Sequence, residues 1–192
     1  MSQQAHPSLK FYPATAERWR DFEELFGERG ACGGCWCMFW RLPRKEFEAN
    51  KGSGNKRAIK RIVFSKRPPG VLGYLGKTAI GWCAVAPREE YIALRRSRIL
   101  KPVDAQPVWS ISCFFVKKGY RRKGFSIKLL RAAVDFARRE GAKIIEGYPV
   151  DPRAPNLLDP FIWHGVTSAF IAAGFKEAVR RSDTRPIMRY TV

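Results

Sequence analysis

The chain has 192 residues, of which 36 are Lys or Arg and 17 are Asp or Glu, giving a formal net charge of +19. That length suits one sizeable α/β core and is short for two; no apolar run approaches the roughly 18 residues of a membrane span, and Met1–Pro7 lacks the apolar stretch of a secretory signal. Five cysteines, odd in number and scattered, argue against a disulfide framework and for a reducing cytoplasm.

In chain order, Leu9–Tyr12 reads as a first strand, and Thr15 stands where it would cap a helix over Ala16–Phe26. A Gly/Cys/Trp-rich loop follows over Gly27–Leu42. Cys32 and Cys35 have a zinc-gripping spacing, with Cys37 as a third ligand. A closed zinc site needs a fourth ligand, and only the distant His6 and His164 remain, so the expectation is no metal. A redox-active or nucleophilic thiol is a second reading. The plainest is that small and aromatic residues pack here around a substrate cavity.

Pro43–Lys51 and Lys56–Phe64 read as helices broken by Gly52-Ser53-Gly54. Pro68-Pro69-Gly70 marks a turn. Val71–Leu75 and Ala79–Val85 flank Gly76-Lys77-Thr78 as a hairpin. Arg88–Leu100 is a short basic helix or loop. Trp109–Val116, rich in aromatic and β-branched residues, reads as a buried strand. Beyond the basic turn Lys117–Ser126, apolar residues recur at Ile127, Leu130, Ala133, Val134 and Ala137, and polar ones at Lys128, Arg131, Asp135 and Arg138. Both series follow a 3.6-residue period, so a helix with one buried face is expected, closed by Gly141. Lys143–Pro149 resumes as a strand. Phe161–Ala173 reads as a helix closed by Gly174, and Phe175–Val179 and Pro186–Tyr190 as the last strands.

The junction after Val116 carries the chemistry. A turn feeding a helix leaves backbone N–H groups unpaired at the positive end of the helix dipole, which suits a phosphate. Gly124 lets the backbone approach a ligand closely, while Arg121, Arg122 and Lys123 add charge. Cations are disfavoured at a helix start, so an anionic partner explains them better than a solvated surface does.

Arg121-x-x-Gly124-x-Ser126, after a strand and opening a helix, resembles the acyl-CoA pyrophosphate loop of the GNAT N-acyltransferase superfamily. That loop reads Arg or Gln, two residues, Gly, one residue, then Gly or Ala; Ser126 is the departure. The element order is similar to that of the superfamily over nearly the whole chain. Phe170-x-x-x-Gly174-Phe175 resembles its Tyr-x-x-x-Gly-Phe segment.

The resemblance implies an α/β (α+β) fold in one domain over residues 1–192. Its centre would be a mixed, mostly antiparallel twisted sheet of about six or seven strands, with flanking helices, splayed at the acyl-CoA site. It implies an N-acetyltransferase taking its acetyl group from acetyl-CoA and passing it to an unidentified amine, in the cytoplasm, with a homodimer left open. Pantetheine would lie along Cys113, Phe114, Phe115 and Val116, and pyrophosphate on Arg121, Arg122, Lys123, Gly124, Phe125 and Ser126. The loop between the first two helices would line the acceptor side. There Trp36, Phe39, Trp40 and Arg41 would form an aromatic pocket with one cation, suited to an apolar or carboxylate-bearing acceptor.

The superfamily's early-strand carboxylate falls on Ser110, and its thiolate-protonating Tyr on Phe170, neither of which has that chemistry. The remaining candidates are Glu146 as base, through a water, and Tyr148 as acid, with Asp151 just beyond. Two residues apart on a strand, Glu146 and Tyr148 share one sheet face. Two rival readings stand: an acyl-CoA sensor without turnover, and a basic nucleic-acid or ribosome-associated protein whose cradle holds backbone phosphate. The basic residues are spread over many segments, without a helix-turn-helix, zinc-finger or aromatic RNA-binding signature, which disfavours the last.

Overall fold

A computed structural model describes residues 8–151 and 163–192. Seven strands make one sheet in the order β1-β2-β3-β4-β5-β7-β6. They are β1 (Leu9–Pro13), β2 (Gly70–Leu75), β3 (Thr78–Pro87), β4 (Trp109–Val116), β5 (Ile144–Gly147), β6 (Lys176–Arg180) and β7 (Pro186–Thr191). Every neighbouring pair is antiparallel except β4–β5. The expected mixed sheet with flanking helices is therefore present. Among the described residues no helix is long and apolar enough to cross a membrane.

Helices α1 (Trp19–Phe26), α2 (Arg44–Ala49) and α3 (Ser53–Val63) belong to one side; α4 (Phe125–Arg139) and α5 (Thr167–Ala172) cover the other. The α4 stripe puts Leu129, Leu130 and Val134 against Ile80, Val85 and Ile111 of the sheet, all buried. On the opposite face Phe22, Phe26, Trp36 and Ile59 pack on Leu72 and Trp82. Phe125, the first residue of α4, is held in a notch between two strand glycines. A Cβ on Gly81 would lie 2.2 Å from its ring, and one on Gly73 2.5 Å. The absence of side chains at residues 73 and 81 thus sets where α4 begins.

Several boundaries differ from the sequence reading. The break between α2 and α3 falls at Asn50–Gly52, and Ser53 and Gly54 belong to α3. Asn55 pins this junction, fully buried, with Nδ2 donating to the Gly34 carbonyl at 3.1 Å. Thr15 does not cap; its Oγ1 accepts from Arg18 Nη1 at 3.2 Å. Arg88–Leu100 holds two short 3-10 turns. The helix expected from Phe161 begins only at Thr167, because Val166 is drawn into a bridge with Val150 and Gly165 is left-handed at φ 79°. Phe161 and Ile162 lie outside the described residues.

Two irregularities shape the middle of the sheet. Ala84 opposes Cys113 and Val85 opposes Ile111, so Ser112 is an extra residue that bulges β4. Parallel pairing of β4 with β5 covers only Trp109–Ile145, Ser110–Glu146 and Ile111–Gly147. Past Ile111 the two strands part, and β4 runs on to Val116 paired only with β3.

Candidate active site

The parting strands open a cleft of about 510 Å³. Phe114, Phe115 and Val116 line one wall, Arg121, Arg122 and Ser126 its mouth, and Trp163, Val166 and Ala169 the far side. The strand edge there has defined hydrogen-bonding capacity. Lys117 N–H donates across to the Ile80 carbonyl at 2.9 Å, so by alternation the polar groups of Phe114 and Val116 face the opening. Two are used within the protein: Phe114 N–H donates to the Trp163 carbonyl at 2.6 Å, and Arg121 Nε donates to the Val116 carbonyl at 2.8 Å. Among the described residues Val116 N–H has no partner and the Phe114 carbonyl has only a 3.9 Å contact from Cys113 Sγ, so both could pair with an extended ligand.

At the mouth the chain turns through Arg122 (φ 59°) and Gly124 (φ 71°) into α4, whose start carries no side-chain cap. The first N–H groups of this 15-residue helix have no intrahelical partner and point outward with the dipole. A Cβ on Gly124 would enter open space, so the backbone is exposed to a ligand. Six of the ten residues expected to contact the donor line the cleft: Phe114, Phe115, Val116, Arg121, Arg122 and Ser126. Gly124 presents backbone, and Lys123 is an exposed side chain outside the lining. Cys113 and Phe125 differ from expectation. Strand alternation turns Cys113 to the opposite face, its Sγ 3.0 Å from that of Cys37, and Phe125 is core.

The loop between α1 and α2 lies on that opposite face. Ala31, Trp36 and Cys37 all adopt left-handed backbone, at φ 67°, 46° and 54°, each costing of order 1–3 kcal/mol. The fold-back buries Trp36 to 2% exposure, stacked on Phe26 and Trp19, so it is core and not pocket. Arg41 is no free cation either: it is 5% exposed, and its Nη1 pairs with Glu90 Oε2 at 2.7 Å. Phe39 and Trp40 do not line the cleft themselves but back its wall, with ring centroids 5.3 and 6.3 Å from Trp163.

The thiols follow the same division. Burial pushes Cys35 up to about 12, and Cys83 well above the ordinary thiol value. The Cys37 contact, then burial, does the same to Cys113. These are thiols rather than thiolates, which does not suit a nucleophile. Cys32 stands at the cleft rim. Among the described residues no three His, Cys, Asp or Glu side chains converge on a metal-sized point.

A GNAT-family acetyltransferase model matches residues 36–156, more than half of the chain. The chain belongs to the GNAT acetyltransferase family. Solved GNAT-type structures share its fold at low identity. PaiA N-acetyltransferase from Thermoplasma acidophilum, solved with coenzyme A, is 15% identical over 96% of this chain and 99% of that one, with TM-score 0.51. The aminoglycoside N-acetyltransferase AAC(6')-Iy, also with CoA, is 12% identical over 94% and 96%, with TM-score 0.56. A GNAT-family acetyltransferase from Listeria monocytogenes is 7% identical over 96% and 95%, with TM-score 0.56. No curated protein sequence matches it.

In this GNAT acetyltransferase, Glu146 and Tyr148 share a face of the sheet as alternation requires, but they sit beneath the site and do not line the cleft. Both are fully buried. Glu146 Oε1 accepts from Arg189 Nε at 2.9 Å, and Oε2 lies 3.5 Å from Arg88 Nη1. Arg189 reaches on to Asp104 at 2.6 Å. The Tyr148 hydroxyl lies 2.7 Å from Ser110 Oγ and donates to Glu146 Oε2 at 3.1 Å; Arg88 also donates to it. Burial, and then the Glu146 charge, push the phenol up. The Glu146 oxygens are engaged by two guanidiniums and the phenol and do not face the cleft, and a phenol so raised is a weak acid. Ser110, where the resemblance would place a carboxylate, is register-paired with Glu146.

Three residues near the cleft escaped the sequence reading as a group: Trp163, His164 and Arg185. His164 stacks on Trp163 and contacts Arg185. In the sequence it was a lone histidine, with nothing to connect it to an arginine beyond the last helix.

Proposed function

We propose that this chain, as a single domain, transfers an acetyl group from acetyl-CoA to the amine of an acceptor molecule. The observation that carries this is the cleft at the β4–β5 parting, where an unpaired strand edge runs into an uncapped helix start flanked by Arg122 and Ser126. The Phe114 carbonyl and Val116 N–H would pair with pantetheine, and the α4 N–H groups with pyrophosphate. Arg121 braces the turn by holding the Val116 carbonyl. Bound acyl-CoA supplies an activated thioester: the amide C–N bond forms as C–S breaks, and the proton lost by the amine ends on the CoA thiol.

Phe39, Trp40 and Trp163 would position the acceptor. No carboxylate or imidazole is among the described residues lining the cleft. The amine therefore enters as its free base, and holding it against the thioester supplies the rate enhancement. The rate should rise with pH until the amine's own pKa; a bell centred near neutrality would instead reveal a protein base and acid.

The first test is thermal unfolding with acetyl-CoA, CoA and ATP. At ~100 times its dissociation constant a ligand stabilises the fold by about 2.7 kcal/mol. Both CoA forms should raise the midpoint and ATP should not. No shift with acetyl-CoA overturns the reading.

A further inference from the structure

We infer that the acceptor amine carries a carboxylate, received by Arg185 and His164 behind the aromatic wall of the cleft. This rests on the acyl-transfer reading above. Trp163 lines the cleft, and the His164 ring lies against it with centroids 3.5 Å apart. Behind Trp163, Trp40 Nε1 faces His164 Nε2 at 3.0 Å, and Arg185 Nη1 faces Nδ1 at 2.8 Å.

Those two contacts are incompatible within the protein. Indole and guanidinium nitrogens only donate, and a neutral imidazole offers one N–H and one acceptor. Burial, and then the Arg185 charge, hold His164 well below its ordinary value, so it is neutral. With Nε2 accepting from Trp40, the Nδ1–H points at a second donor on Arg185. One oxygen acceptor beside this pair would satisfy both.

Among the described residues Arg185 also lacks a counter-ion. It is half-buried, its other contact is the Tyr148 carbonyl at 3.3 Å, and no carboxylate among the described residues pairs with it. Its neighbours are different. Arg41 has Glu90, Arg88 has Glu146, and Arg189 has Glu146 and Asp104. Asp151 is already taken by Arg180, at 2.8 Å. An arginine drawn partly out of water without a carboxylate is costly. A ligand carboxylate accepting from it and from His164 would make charge-assisted hydrogen bonds. No Asp or Glu is among the described residues lining the cleft, so none of them would pair with a second ammonium group. Phe39 and Trp163 would favour an apolar body on the acceptor.

The experiment measures CoA release with acetyl-CoA and two matched amine pairs: L-phenylalanine against 2-phenylethylamine, and 6-aminohexanoate against hexylamine. We expect kcat/KM to favour the carboxylate member of at least one pair by about tenfold or more. In Arg185→Gln that ratio should fall to about one, while the thermal shift with acetyl-CoA stays at its wild-type value. A wild-type ratio near or below one overturns the inference, whatever the variant does. So does a ratio unchanged in Arg185→Gln, or an equal loss for both members. If none of the four amines turns over while acetyl-CoA still stabilises the protein, the carboxylate class is overturned and donor binding stands. If acetyl-CoA gives no shift, the acyl-transfer reading itself fails and takes this inference with it.

Discussion

The side of the site proposed for the donor is made by one continuous stretch, β4 through α4, whereas the side proposed for the acceptor is gathered from several. Residues 39–41, 88–90, 146–151, 163–164 and 185 meet there only through the fold. The two sides also differ in what their polar groups are. On the proposed donor side the open ones are backbone groups at a strand edge and a helix start, beside the Arg122 and Ser126 side chains. On the acceptor side they are side chains locked into buried ion pairs, with Arg185 the departure. The donor side is therefore a surface ready for any ligand of the right backbone-like shape. The proposed acceptor side is ion-paired except where charge is left over.

Breaking the acceptor network should have the largest effect. Glu146→Gln leaves Arg88 and Arg189 facing a neutral group, and loss of one partner of a buried pair costs about 3–5 kcal/mol. Urea unfolding should show that loss, with donor binding per folded molecule unchanged. Unaltered stability with kcat reduced by about a hundredfold or more would return Glu146 to the role of base.

On the donor side, Gly124→Val should forfeit the ~2.7 kcal/mol of stabilisation expected from saturating acetyl-CoA. Forcing a β-branched residue to φ 71° adds an intrinsic cost of comparable size, of order 1–3 kcal/mol, so the readout is the shift that acetyl-CoA gives the variant and not its bare midpoint. A variant that still shifts with acetyl-CoA would mean the pyrophosphate lies elsewhere. Gly81→Ala tests whether the core sets the cradle. Its Cβ would meet the Phe125 ring at 2.2 Å, for an overpacking cost of about 1–3 kcal/mol. Acetyl-CoA binding should weaken alongside, as the start of α4 is displaced.

The smallest effect is a pH slope on the acceptor side. His164 is held neutral in the folded state, with its pKa below that of the unfolded chain. The stability present at neutral pH should fall once the pH drops below the ordinary histidine value. There the unfolded chain takes up a proton that the folded one resists. The slope is at most about 1.4 kcal/mol per pH unit. The chain has 2 histidines, and His164→Asn should remove most of the slope between about pH 6.5 and pH 5. An unchanged slope would show that His164 already binds its proton in the fold.

What could be read from the sequence follows the same division. The strand, turn and helix from Trp109 onward announce themselves because their hydrophobic period, Gly124 and the basic residues are all local. Even there the place of Phe125 escaped, since its notch is supplied by Gly73 and Gly81. On the acceptor side, Trp36 and Arg41 looked like pocket residues because they neighbour Phe39 and Trp40. Their burial depends on left-handed turns at Ala31, Trp36 and Cys37, residue types that do not advertise such backbone. Alternation correctly put Glu146 and Tyr148 on one face. It had no means of knowing that Arg88 and Arg189 occupy that face too.

The hydrogen bond from Phe114 N–H to the Trp163 carbonyl has a consequence for solvent exchange. Elsewhere along β4, an amide bonded in the ladder exchanges when the sheet opens. Phe114 is shielded instead by a segment next to the acceptor side, so its deuterium uptake times the release of that segment from β4. One backbone proton thus serves as a stopwatch for the strap between the two halves of the site, readable without any substrate.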